Sequence, residues 1–60
     1  MKLLHIKDIN DVNVCIPVDN IAIIRSRHHG CVITPITGLL IYTNESYDSV
    51  IKKINPPAFG

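Results

Sequence analysis

The segment RSRHHGC, from Arg25 to Cys31, gathers two arginines, two histidines and a cysteine in one short stretch. In an extended chain residues two apart share a face, so Arg25 and Arg27 project together, with His28 and His29 crowning the loop at their end. Guanidinium forks hold phosphate and carboxylate through paired N–H donors, so Arg25, Arg27, His28 and His29 form a candidate site for an anionic ligand or a nucleic-acid backbone. The alternative is a solvated hairpin end whose charges keep a sheet edge from pairing with other chains. Base stacking would need an aromatic side chain, and none adjoins this segment.

The same residue types bear on three further chemistries. His28, His29, Cys31 and Cys15 are metal-ligand types, but adjacent histidines with one cysteine match no four-ligand spacing, so neither a metal site nor any other cofactor is predicted. A disulfide between Cys15 and Cys31 would need facing positions and an oxidising compartment; the simpler expectation is cysteine as a small buried hydrophobe. A nucleophile and base can be assembled from His5, Cys15, Ser26 and Cys31 only on paper. The spacing favours no such pair, and no catalytic residue or enzyme activity is predicted.

A single β-rich domain over residues 1–55 must position these side chains, followed by a Pro-rich tail over 56–60. The chain has 60 residues, close to the lower limit at which a hydrophobic core alone stabilises a fold. Its residues are 47% hydrophobic, with two Tyr, one Phe and no Trp, so the apolar mass is mostly Ile, Val and Leu. β-Branched side chains favour pleated sheet, and one small monomer cannot easily hide this much of them. Self-association into a homo-oligomer is the expected supplement, since neither a disulfide framework nor a metal motif is evident. The formal net charge of +1 supplies no strong field for nucleic acid or anionic lipid. No apolar run approaches the ~18 residues of a membrane span, and no secretory signal is visible, so a soluble cytoplasmic protein without a membrane partner is expected.

The fold class reads as mainly β, of the α+β type: a five-stranded antiparallel meander or partial barrel with one short C-terminal helix. Lys2–Ile9 and Val12–Val18 flank Asn10 and Asp11 as a first hairpin. Asp19 and Asn20 turn into a strand over Ile21–Arg27, in which Ile21, Ile23 and Arg25 share one face. Gly30 can supply a positive φ before Cys31–Ile36, Pro35 marks an edge or a bulge, and Thr37-Gly38 turns into Leu39–Thr43. From Ser46 the period changes: Tyr47, Val50, Ile51 and Ile54 fall on one helical stripe, predicting a helix over 46–54. Ser46 serves as its N-cap, Asp48 suits its first turn, Lys52 and Lys53 suit its last, and Asn55-Pro56-Pro57 stops it.

The Gly38 turn, the Glu45-Ser46 dipeptide and the helical spacing of Val50, Ile51 and Ile54 resemble the FlbD family of small flagellar accessory proteins. The resemblance spans Asp8 to Ile54, and it differs from the family pattern at Asp11 and over the basic RSRHHG segment. It implies a non-enzymatic accessory role in motility and brings no catalytic residue. The leading expectation is therefore a non-catalytic, self-associating interaction protein with a homo-oligomeric or other protein partner. Ile21, Ile23, Tyr42, Tyr47 and Phe59 are its candidate interface residues. The alternatives are a phage-encoded or other small oligomeric module binding an anionic ligand or nucleic acid through the Arg/His cluster, and a structural component of a larger assembly.

Overall fold

The computed structural model describes residues 2–56, so Phe59 and residues 57–60 of the tail lie outside the described residues. The structure is strand-rich, with five antiparallel strands in two sheets and one short helix. β1 (Leu3–Lys7) pairs with β2 (Asn13–Pro17), and β3 (Ile21–Arg27), β4 (Gly30–Pro35) and β5 (Ile41–Thr43) form the second sheet in that order. A 3-10 turn, Val18–Asn20, replaces the simple turn expected between β2 and β3, and α1 (Tyr47–Ile54) follows β5.

Alternation sets the core. Leu4 lies opposite Ile16 and Ile6 opposite Val14 in the first hairpin, so one face of it is apolar. Leu4, Ile6, Ile16, Cys31, Ile33 and Val50 are buried together, with Val14, Val18, Ile21, Ile24, Ile41 and Ile54 packed against them. On α1, Val50 is buried and Ile51 and Ile54 half-buried, whereas Tyr47, assigned by its spacing to the same stripe, is exposed. Ser46 caps the helix as expected, its Oγ accepting from the Ser49 N–H at 3.1 Å.

The first hairpin differs from the two-residue turn its Asn10-Asp11 pair suggested. Lys7 lies opposite Asn13, leaving residues 8–12 as the connection. The Asp8 carboxylate accepts from the N–H groups of Asn10 at 2.8 Å and Val12 at 3.0 Å, an Asx turn that replaces ladder bonds with side-chain ones. Asp11, at φ 65°, takes the left-handed position.

Pro35 explains two irregularities. Ile21 lies opposite Pro35 and Ile23 opposite Thr34, so Ala22 bulges where the ladder meets a residue with no N–H. The bulge puts Ile21 against the core and leaves Ile23 45% exposed, so the two do not share the face that strict alternation assigned them. On its other side β4 pairs with β5 only from Cys31–Thr43 to Ile33–Ile41. Continuing that register would put Leu39 opposite Pro35, which has no N–H to donate, so the strand read over Leu39–Thr43 begins at Ile41.

The two sheets are seamed along β1 and β5 without closing a barrel. The Ile9 N–H donates to the Tyr42 carbonyl at 3.0 Å. Thr43, fully buried, donates its hydroxyl to the Lys7 carbonyl at 2.6 Å and accepts the Glu45 N–H at 3.1 Å. The Glu45 carboxylate accepts the Lys7 N–H at 3.2 Å and pairs with Lys53, which ties α1 to β1. No helix among the described residues is long and apolar enough to cross a membrane.

Candidate functional site

His28 and His29 form the tip of the β3–β4 hairpin, their rings edge to face at 4.4 Å. Neither has a positive φ, whereas Gly30 has φ 99°, so glycine takes the left-handed position that follows the two-residue turn. Gly30 is also a steric requirement. A Cβ there would lie 2.0 Å from the Thr43 carbonyl oxygen and 2.8 Å from the Asn44 Cα.

The β5 backbone thus packs directly on Gly30, and Arg27, opposite Gly30 in the ladder, reaches the same end of β5. Its Nη2 donates to the Thr43 carbonyl at 3.3 Å and to Asn44 Oδ1 at 3.4 Å, and its guanidinium carbon lies 5.5 Å from the centre of the Tyr42 ring. Such a distance is within cation–π range. The four residues of the sequence-predicted anion site therefore differ in environment. Arg25, His28 and His29 are exposed, and Arg27 is half-buried with its fork turned onto the end of β5. Arg27 Nε is buried without a hydrogen-bond partner.

The cysteines are both free. Cys31 is fully buried, and burial first, then the Glu45 carboxylate, pushes its thiol above the ordinary value, with Arg27 acting in the opposite direction. Cys15 is exposed, directly opposite His5 across the hairpin. That pair lines an open groove of about 480 Å³ with Lys7, Asn13, Glu45 and Lys53. Among the described residues no group of three or more His, Cys, Asp or Glu could hold a metal ion.

The second groove, about 350 Å³, is of another character. Its walls are Ile9 and Val14 on one side and Leu39, Leu40, Ile41 and Tyr42 on the other, with Asp8 and Asn10 at the edge. It opens where the β1–β5 seam ends. Ile9 is 48% exposed, Leu39 71%, Leu40 52% and Tyr42 40%.

Of the candidate interface residues, Ile23, Tyr42 and Tyr47 are exposed and Ile21 is half-buried against the core. Nothing in the sequence sets Ile9, Leu39 and Leu40 apart, because each sits within a run that reads as strand. The signal that could have exposed them is Pro35, which denies Leu39 a ladder partner. No protein-family model matches the chain, and neither a curated protein nor a solved structure matches it significantly.

Proposed function

We propose that this protein is a non-catalytic, self-associating interaction module that acts as an accessory within a larger assembly. One observation carries the reading. Nine large apolar residues among those described are at least 40% exposed, against six buried in the core. Single exposed hydrophobes are ordinary, but clustered ones mark surfaces that other molecules cover. The likeness of the Gly38 turn and the Glu45-Ser46 helix start to the FlbD pattern points the same way, toward an accessory role in motility.

The test is sedimentation velocity with native mass spectrometry across protein concentration and salt. The expected result is a defined homo-oligomer whose population rises with concentration and persists at high salt, because apolar burial is not screened. A monomer at every concentration up to about 1 mM, where association is worth less than ~4 kcal/mol, refutes self-association. An assembly that dissolves steeply with salt refutes the apolar reading and favours Arg25, His28 and His29 holding an anion between copies.

A further inference from the structure

The outward face of the β3–β4–β5 sheet carries an arrangement that chain order hides. Arg25 lies opposite Val32 and Val32 opposite Tyr42, so the three stand in one row across the sheet. Side chains in such a row project to the same side. On the other side Cys31, Ile33 and Thr43 are fully buried in the core, whereas Arg25 and Tyr42 are exposed. No aromatic residue adjoins RSRHHGC along the chain, but the fold brings Tyr42 to it.

The charge on this sheet is of one sign. β3, β4 and β5 hold two arginines and no Asp or Glu, and His28 and His29 extend the basic side at the hairpin tip. Neither ion pair among the described residues involves Arg25. The Glu45 carboxylate, just past β5, is taken up by the Lys7 N–H and by Lys53. Asp8 shares a groove with Tyr42, but it stands beyond β5, across the sheet from Arg25, and its Oδ1 accepts the N–H groups of Asn10 and Val12. An anion is therefore drawn to the β3 side.

We infer that this face binds single-stranded nucleic acid, with Tyr42 stacking an unpaired base and Arg25, beside His28 and His29, holding the phosphates. The inference goes beyond self-association and does not depend on it. A cationic surface that tracks the backbone, next to an exposed ring on which a base stacks, recognises a single strand whatever its sequence. A simple anion needs no ring, and a duplex keeps its bases stacked on one another, so the alignment of Arg25 with Tyr42 selects the unpaired strand. Neighbouring strands are ~4.8 Å apart, which sets the backbones of these two residues ~10 Å apart, within reach of consecutive nucleotides. Arg27 is a positioning residue: its guanidinium carbon lies 5.5 Å from the centre of the Tyr42 ring, while its Nη2 is fixed on the Thr43 carbonyl.

The experiment is fluorescence anisotropy at low salt with labelled oligothymidylate and oligouridylate of about 12 nucleotides, within the site sizes of single-strand binders. The full chain is compared with Arg25→Ala, Tyr42→Leu and Tyr42→Phe, each checked for folding by circular dichroism. Wild type and Tyr42→Phe are expected to bind alike, and Arg25→Ala and Tyr42→Leu at least ~5-fold more weakly. A duplex of the same length is expected to compete at least ~5-fold less well than the single strand. Tyr42→Trp gives a second reading in a chain with no other Trp, because a stacked base quenches indole emission. Absence of binding to both oligonucleotides overturns the inference, as does equal competition by the duplex. Binding that Arg25→Ala weakens and Tyr42→Leu does not, or indole emission unchanged at saturation, also overturns it, leaving a site for polyanions only.

Discussion

Gly30 shows how much one residue carries in so small a chain. Its φ of 99° is a left-handed conformation, and the Thr43 carbonyl stands where a side chain would begin. Gly38 has a similar φ, 89°, with nothing within 4 Å of a built Cβ. The two glycines therefore separate conformational cost from collision. Gly38→Ala is expected to lose about 1 kcal/mol and Gly30→Ala at least about 3 kcal/mol, a large share of the stability of a domain this size. Urea unfolding of both variants measures the difference; equal losses would mean that the β5 backbone moves away freely.

Cys31 makes a second prediction at this scale. Below the thiol's unfolded pKa, roughly 8.5, both states hold the proton and its contribution to stability is complete. Above it the unfolded thiol ionises while the folded one, pushed up by burial, does not, so unfolding gains and stability falls as pH rises. The urea midpoint is expected to drop as pH rises above the unfolded thiol's value, more steeply in the wild type than in Cys31→Ala. Parallel slopes would exclude this coupling.

Among the elements, the seam between β1 and β5 is joined by side chains and the Ile9–Tyr42 main-chain bond rather than by a continuous ladder. Thr43 replaces main-chain pairing with its hydroxyl, satisfying the Lys7 carbonyl and the Glu45 N–H from a fully buried position. Thr43→Val preserves shape and strands both groups, so a loss of about 2–3 kcal/mol is expected, while Thr43→Ser, which keeps the hydroxyl, loses less. If Val and Ser cost the same, the hydroxyl is not what joins the sheets. α1 was legible in the sequence because its signals are local, namely the Ser46 cap and the spacing of Val50 and Ile54. The seam was not, since Thr43 and Lys7 are 36 residues apart and no local pattern links them. The bulge at Ala22 and the short β5 lie between, because Pro35 warned of an irregularity without saying that its partner strands would absorb it.

For the molecule as a whole, composition foretold more apolar surface than one small domain hides, and Ile9, Leu39 and Leu40 are where part of it lies. The candidate anion cluster was legible as a set of residue types. That Arg27 turns onto β5 was not, because its partners Thr43 and Asn44 lie 16 and 17 residues along the chain. The contact between Lys2 and Ile54 has a practical corollary. The chain enters β1 and leaves α1 at the same pole, while the Leu39–Leu40 edge sits beyond the other end of β1. A circular permutant, joined across that pole and reopened between His28 and His29, would keep each strand beside its present neighbours.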